Sequence, residues 1–216
     1  MTGTSSWATR ATRVAACVAL LAGCAPPRPQ GEAQGQRVFE TCTACHGEHG
    51  EGNQEFGGPA IAGMPEWYLR RQLDKFREGH RGVDPQDRNG LRMRGMARTL
   101  NHEGDVEAIV AYVAALPAPT PAPVMGGNAE AGREPFQACV QCHGANAAGN
   151  VEQNAPPLTS LNDWYIVAQL NLFKAGDRGT TPGDETGATM RPMAVGLAND
   201  QQMADVAAYI ASLRGQ

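Results

Sequence analysis

The sequence predicts an all-α protein made of two tandem copies of one small helical module. Apolar residues recur at helical spacing, as at Leu69, Leu73 and Phe76, and no segment alternates apolar and polar residues as a half-buried strand would. The two halves of the 216-residue chain also align with each other without a gap. In addition, a Cys-x-x-Cys-His run occurs once in each half.

The internal repeat has a constant offset of 97 residues, as from Cys42 to Cys139. The matching residues are spread over the whole of each half: Gly35 with Gly132, Phe39 with Phe136, Trp67 with Trp164, Gly79 with Gly176 and Leu100 with Leu197. A gapless match of this length indicates a duplicated domain, because a solenoid would have shorter and more numerous units.

A proline-rich run separates the two copies. Residues 117–123 read Pro-Ala-Pro-Thr-Pro-Ala-Pro, which is typical of a stiff, extended connector. We therefore assign residues 35–116 to the first module, 117–127 to a Pro/Gly linker and 128–216 to the second module. Each module is small enough that its own apolar side chains would form only a marginal core.

Three helices are predicted in the first module, over residues 33–42, 66–78 and 105–116, and the second module repeats each of them. The remaining segments are rich in Gly, Asn and Pro and are predicted to be loops, including residues 93–97 and 190–194. Loops of this kind can wrap around a flat cofactor.

The runs Cys42-Thr43-Ala44-Cys45-His46 and Cys139-Val140-Gln141-Cys142-His143 carry the chemistry. Cys-x-x-Cys-His is typical of haem c attachment: the two thiols add to the vinyl groups of one porphyrin and the histidine binds the iron. A dithiol redox pair does not need the histidine, and a zinc ribbon has its second cysteine pair about 15–20 residues away. The sequence therefore predicts two covalently bound haem c groups.

The repeat divides the five histidines into two groups. His46 and His143 match each other and are predicted to bind the irons. His49, His80 and His102 match Asn or Asp residues, so we expect them to lie on the surface.

Methionine suits the opposite side of each iron. The first module offers Met93 and Met96, and the second offers Met190 and Met193. Because both members of each pair recur, the repeat alone does not choose between them.

These motifs resemble those of the dihaem cytochrome c4 family, whose members contain two class I cytochrome c modules. The resemblance covers about residues 32–214 and rests on the Cys-x-x-Cys-His runs, a Trp-Tyr-x₃-Gln-Leu helix, the methionine segment and a closing amphipathic helix. It implies that each module wraps around one haem. It also implies that the carbonyls of Pro59 and Pro156 accept a hydrogen bond from the ligating histidines.

In the same family the methionine ligand stands seven residues before a leucine. Carried over to this sequence, that pattern selects Met93 and Met190 as iron ligands, with Met96 and Met193 as the alternative.

The N-terminus resembles a bacterial lipoprotein signal. Two arginines precede an apolar run that is too short for a comfortable membrane span, and the run ends in Leu-Ala-Gly-Cys. The resemblance implies a signal peptide over residues 1–23, a lipid on the Cys24 thiol and a tether over residues 24–34. It places the protein in the periplasm, attached to a membrane.

Charge and cysteine count exclude further classes of function. The formal net charge is −4 at pH 7, and haem propionates would make it more negative, so a nucleic-acid partner is not expected. The signal, the lipid anchor and the two haems account for all six cysteines, which leaves none for a disulfide.

Histidine and methionine would fill both axial positions of each iron, so the haems would pass single electrons rather than bind oxygen or peroxide. We therefore predict an electron carrier, not an enzyme, that links a quinol-oxidising complex or a dehydrogenase to a terminal oxidase or reductase. Two alternatives remain open. One is a cytochrome subunit held permanently by a periplasmic dehydrogenase, and the other is a dihaem peroxidase or thiosulfate-oxidising enzyme.

The two copies differ most in charge around the methionine segment. The first module has Arg88, Arg92, Arg94 and Arg98 where the second has Glu185, Thr189, Arg191 and Val195. Nearby positive charge favours a reduced haem, so we expect the N-terminal haem to have the higher potential. The same arginines could bind an acidic partner.

Overall fold

This computed structural model describes residues 30–215. These residues form ten helices joined by loops, and they contain no β-sheet. The first module contains α1 (Glu32–Phe39), α2 (Thr43–His46), α3 (Glu66–Glu78), α4 (Arg88–Ala97) and α5 (Asp105–Ala115). The second contains α6 (Ala129–Arg133), α7 (Gln137–His143), α8 (Asp163–Ala175), α9 (Glu185–Val195) and α10 (Asp200–Ser212). The predicted all-α fold of two repeated modules is confirmed.

The first and last helices of each module cross at a glycine. Helix α1 packs against α5, and a Cβ at Gly35 would lie 2.4 Å from the carbonyl oxygen of Ala108. Helix α6 packs against α10, and a Cβ at Gly132 would lie 1.9 Å from the carbonyl oxygen of Asp205. At each crossing the backbones of the two helices can approach this closely because glycine has no side chain.

An aromatic pair lies beside each crossing, with its phenylalanine buried and its tyrosine half-buried. The ring centroids of Phe39 and Tyr112 are 5.4 Å apart, and those of Phe136 and Tyr209 are 5.3 Å apart. Both pairs join the first helix region of a module to its last helix. The cores of the two modules therefore repeat in structure as they do in sequence.

The prediction of loops over residues 93–97 and 190–194 is wrong, because both segments belong to helices, α4 and α9. Each helix begins at an aspartate, Asp87 or Asp184, whose carboxylate accepts a hydrogen bond from a backbone amide three residues on. The sequence pattern missed these helices because they contain glycines and, in α9, Pro192, which have low helix propensity.

The tether predicted over residues 24–34 is shorter in the structure, because its last three residues belong to α1. Gln34 is buried, and its side-chain amide donates to Asp105 Oδ1 at 2.9 Å. Cys24 and the predicted signal peptide over residues 1–23 lie outside the described residues. Within the described part of the chain, no helix is both long enough and apolar enough to cross a membrane.

The linker predicted over residues 117–127 contains no helix or strand and is fastened to the second module. The buried carboxylate of Asp163 accepts hydrogen bonds from the amides of Val124, at 2.6 Å, and Met125, at 2.7 Å. The guanidinium group of Arg214 donates to the carbonyl of Pro121. These contacts fix the path of the connector along the second module.

The substitution Gly132→Ala is expected to lower the melting temperature of the holoprotein. The new Cβ would lie 1.9 Å from the Asp205 carbonyl oxygen and would force α6 and α10 apart, and overpacking of this kind costs about 1–3 kcal/mol. Thermal unfolding followed by circular dichroism measures the change. Gly95→Ala is the matched control, because a Cβ at Gly95 in α4 would meet no atom within 4 Å. Equal losses from both substitutions would contradict the steric explanation.

Candidate haem-binding sites

Each Cys-x-x-Cys-His run folds as a short helical segment. Cys42 immediately precedes α2 and His46 ends it, while α7 contains Cys139 and ends at His143. The four cysteines of the two runs are half-buried, and none of them forms a disulfide. Two thiols and one imidazole therefore leave the same helical turn in both modules, as covalent haem attachment requires.

A proline carbonyl fixes each histidine that is predicted to bind iron. Nδ1 of His46 lies 2.7 Å from the carbonyl oxygen of Pro59, and Nδ1 of His143 lies 2.8 Å from that of Pro156. Because a carbonyl only accepts, Nδ1 carries the proton and Nε2 is left free for iron. Burial lowers the pKa of both imidazoles, which favours the neutral form that binds a metal.

The methionines of α4 and α9 differ in burial. Met93 and Met190 are half-buried, and Met190 packs against the core of the second module. Met96 and Met193 are 41 % and 42 % exposed. An iron ligand must point into its module, so burial favours Met93 and Met190. The assignment of these two residues as iron ligands stays a prediction.

His80 does not lie free on the surface as the sequence predicts. It is half-buried, and its Nδ1 is 2.8 Å from the carbonyl oxygen of Pro182 in the second module. The ring also lies close to Gly183, where a Cβ would be 2.3 Å from it. The repeat could not predict this contact, because it forms between the modules. His49 and His102 are exposed.

Two arginines meet at the interface between the modules. Arg81 donates to the hydroxyl of Tyr165 and to Oε1 of Gln169, both at 3.0 Å, and Arg178 donates to Oε1 of Gln72 at 3.4 Å. Each arginine also bonds the glutamine of its own module. The repeat matches Arg81 with Arg178 and Gln72 with Gln169, so the cluster has approximate two-fold symmetry. Sequence analysis missed it, although these matches were a signal that could have found it.

The charge of this arginine pair is only partly offset by the described residues, through the nearby carboxylates of Asp87 for Arg81 and Asp184 for Arg178. Among them, neither Arg81 nor Arg178 forms a salt bridge, and the Nε of each is buried without a hydrogen-bond partner. Burial lowers the pKa of the Arg178 guanidinium. A buried cation is costly unless an anion accompanies it. Haem propionates are carboxylates, so Arg81 and Arg178 would suit them as cationic partners when haem is bound.

One ion pair between the modules has no counterpart in the repeat. Lys75 of α3 donates to the carboxylate of Asp184, which caps α9, and their side chains are 10 % and 2 % exposed. At the matching positions Leu172 replaces the lysine, and Asp87 caps α4 without a salt bridge among the described residues. The first module therefore holds the start of the helix that carries Met190.

Comparison with known proteins finds two regions of the chain that match one family. Residues 32–117 and residues 129–214 each match the family model for cytochrome c.

Several similar proteins have named roles. A "thiosulfate dehydrogenase electron acceptor" from Thiomonas intermedia is 38 % identical over 66 % of this chain and 66 % of its own length. A protein of the same name from Stutzerimonas stutzeri is 31 % identical over 84 % of this chain and 87 % of its own length. Cytochrome c4 of Pseudomonas aeruginosa is 30 % identical over 84 % of this chain and 88 % of its own length.

Two solved structures share the arrangement of both modules. Reduced recombinant cytochrome c4 from Pseudomonas stutzeri matches with a TM-score of 0.66 and 26 % identity, over 84 % of this chain and 98 % of that chain. Thiosulfate dehydrogenase (TsdBA) from Marichromatium purpuratum matches with a TM-score of 0.67 and 27 % identity, over 83 % of this chain and 39 % of that chain.

The substitutions Met93→Ala and Met190→Ala are each expected to remove the contribution of one haem to the methionine–iron charge-transfer band of the oxidised holoprotein. The reason is that each removes the thioether predicted to bind one iron. Visible absorption spectroscopy measures the band. Met96→Ala and Met193→Ala are the matched controls and should leave it intact, because their side chains face solvent. The reverse result would assign the ligands to Met96 and Met193.

Lys75→Leu, which introduces the residue found at the matching position of the second module, is expected to destabilise the holoprotein. It would leave the Asp184 carboxylate buried without its cation, a change that costs about 3–5 kcal/mol. Urea unfolding measures the loss. The control is Arg70→Leu, because the ion pair of Arg70 with Glu107 is 41 % and 64 % exposed and should contribute less than about 1 kcal/mol. A loss from Lys75→Leu no larger than that from the control would count against a structural role for the pair.

Proposed function

The chain belongs to the cytochrome c family and binds two haem c groups covalently, as cytochrome c4 does, and on this premise we propose that it carries single electrons between redox proteins of the periplasm. The proposed electron donor is a dehydrogenase, and the proposed acceptor is a terminal oxidase or reductase. A quinol-oxidising complex is the alternative donor.

The observation that supports electron transfer as the function is that both modules contain the same pair of candidate iron ligands. In each module the histidine is buried and held by a proline carbonyl, and a half-buried methionine stands on a later helix. Bound haem supplies one-electron chemistry, and it has no open position for a substrate when histidine and methionine fill both axial sites. A dihaem enzyme needs one iron whose ligands differ from those of the other, and the two copies offer the same candidate ligands, a histidine and a methionine.

The names of the relatives support a dehydrogenase as the donor. Two of them are electron acceptors of thiosulfate dehydrogenase. A dehydrogenase removes electrons from its substrate in pairs, and a chain with two one-electron sites can accept both. The buried contacts of Arg81, Arg178 and Lys75 hold the two modules together, so the pair of sites is presented as one unit.

A second candidate is a cytochrome unit that is fixed permanently to a dehydrogenase. The observation in its favour is the match to thiosulfate dehydrogenase from Marichromatium purpuratum, in which the region similar to this chain is only 39 % of a longer chain. In that arrangement the two modules would serve one enzyme and would not diffuse to it.

We also propose that a lipid on Cys24 attaches the protein to a membrane. The Leu-Ala-Gly-Cys sequence that ends the apolar run supports lipidation. The residues between Cys24 and α1 would then act as a short tether between the membrane surface and the first module.

The reduced full-length holoprotein is expected to show no change in its absorption spectrum under carbon monoxide, because a methionine would occupy the position that carbon monoxide needs. Met93→Ala is the positive control, since it would open one iron and permit binding. Binding by either haem of the unaltered protein would argue for a dihaem enzyme.

Two further measurements distinguish a carrier from a dihaem enzyme and from a permanently bound subunit. Thiosulfate alone should leave the haems oxidised, whereas thiosulfate with a purified thiosulfate dehydrogenase should reduce both. The protein extracted from its own cells should elute alone on size-exclusion chromatography. Reduction by thiosulfate alone would argue for an enzyme, and co-elution with a dehydrogenase at high salt would argue for a fixed subunit.

A further inference from the structure

Helix α4 exposes one continuous face to solvent. Arg88, Leu91, Arg92 and Met96 stand at helical positions i, i+3, i+4 and i+8, which lie on the same side of a helix. All four are exposed, Leu91 by 38 % and Met96 by 41 %. A Cβ at Gly95, beside them, would meet no atom within 4 Å, so the surface is open there. We call Arg88, Leu91, Arg92 and Met96 the α4 face.

The matching face of α9 differs in charge. Its residues are Glu185, Ala188, Thr189 and Met193, and all four are exposed. Helix α4 contains no acidic residue, whereas α9 begins with Glu185. The two faces therefore occupy equivalent places and both contain a methionine, but the α4 face has two arginines where the α9 face has a glutamate and a threonine.

The other two arginines of this region, Arg94 and Arg98, differ in their surroundings. Arg94 matches Arg191 in the repeat, and the Nε of each is buried. Both also lie near a glycine that ends the preceding long helix, Gly79 or Gly176. Arg94 therefore belongs to the architecture that the modules share. Arg98 is exposed, has no basic counterpart, and adds positive charge beside the α4 face.

The positive charge of these arginines could raise the potential of the first haem or attract a negatively charged partner, and their exposure favours the second effect. Salt screens exposed charges over about 8–10 Å under physiological conditions, so their influence on the potential of a buried haem is weakened. Attraction of a charged partner acts at the surface itself and remains effective during approach. Exposure therefore favours a role in docking over a role in setting the potential.

We propose that the α4 face docks a redox partner with an acidic surface. The α9 face of the second module lacks the two arginines and would not attract such a partner. Leu91 and Met96 would meet an apolar centre on the partner, and Arg88 and Arg92 would pair with carboxylates around it. The proposal rests on the function of an electron carrier proposed above. Met93 belongs to the same helix, which is about 10 Å across, so a docked partner lies close to the first haem site.

An acidic protein suits this face better than an anionic membrane does. Helices that lie in a membrane interface bury a broad apolar face rich in Trp, Phe and Leu. The α4 face offers one leucine and one methionine between its arginines, and it has no aromatic residue. Its mixture of charge and small apolar area is typical of a protein docking site with a polar rim.

The test measures electron transfer from the reduced full-length holoprotein to blue-copper proteins, one of net negative and one of net positive charge. One electron passes from a haem iron to Cu(II), which gives Fe(III) and Cu(I). The face variant is Arg88→Glu with Arg92→Thr, which introduces the residues of the α9 face. At low ionic strength we expect it to react about 10-fold more slowly with the acidic copper protein. The difference should disappear at high salt, and the reaction with the basic copper protein should not slow.

The matched control is Arg37→Glu with Arg133→Thr, which changes the net charge equally at exposed positions outside the face. It should change the rate with the acidic copper protein less than about twofold, since steering depends on the local potential. Equal slowing by both double variants would overturn the proposal. A second result would also overturn it: the face variant, but not the control variant, loses binding to anionic vesicles relative to neutral vesicles. The α4 face would then bind a membrane surface.

The same measurements distinguish this proposal from the proposed function. Rapid transfer by the unaltered protein to both copper proteins, with no difference between the face variant and its control, would reject the docking face and leave the carrier intact. Slow transfer to both copper proteins by the unaltered protein, together with carbon monoxide binding, would reject the carrier and the docking face with it.

Discussion

The hydrogen bond between a histidine and a proline carbonyl is the contact on which each module depends. In the first module the chain between His46 and Pro59 folds back on itself, with the Gly52 amide donating to the His46 carbonyl at 2.7 Å. A Cβ at Gly58 would lie 2.0 Å from the Cys45 carbonyl oxygen, so the returning chain lies directly against the attachment helix. The second module repeats the hydrogen bond, with the Gly149 amide donating to the His143 carbonyl at 2.8 Å, but it has Ala155 in place of Gly58. One short segment therefore sets the position of the thiols, the imidazole and the carbonyl together.

The modules are joined by two kinds of contact with different origins. The Arg81–Arg178 cluster is built from residues that match in the repeat, so it repeats across the interface as the modules do. The Lys75–Asp184 pair depends on a lysine that only the first copy has. Met64 of the first module is also 2 % exposed and packs in the core of the second. The interface therefore combines symmetric contacts, made by the two arginines, with asymmetric ones, made by Lys75 and Met64.

Sequence reasoning succeeded where an inference depended on residues within one module. The helix predicted over residues 66–78 has the same bounds in the structure, because its apolar spacing is regular and Gly79 adopts a left-handed conformation at its end. It failed at α4 and α9, where aspartate caps and tertiary packing outweigh low helix propensity. It was wrong about His80 and did not anticipate the role of Lys75, because neither residue has a counterpart of the same type in the other copy that could mark it.

The position of α4 and α9 explains how two equivalent redox sites can serve different partners. The inner side of each helix carries the methionine predicted to bind iron, and the residues of the outer side are exposed. Arg88 and Glu185 occupy matching outer positions, while Met93 and Met190 occupy matching inner ones. Substitutions on the outer side can change which protein docks without disturbing the iron ligands. If the α4 face docks a partner as proposed, divergence of one helix face after duplication would give two equivalent haem sites different docking surfaces.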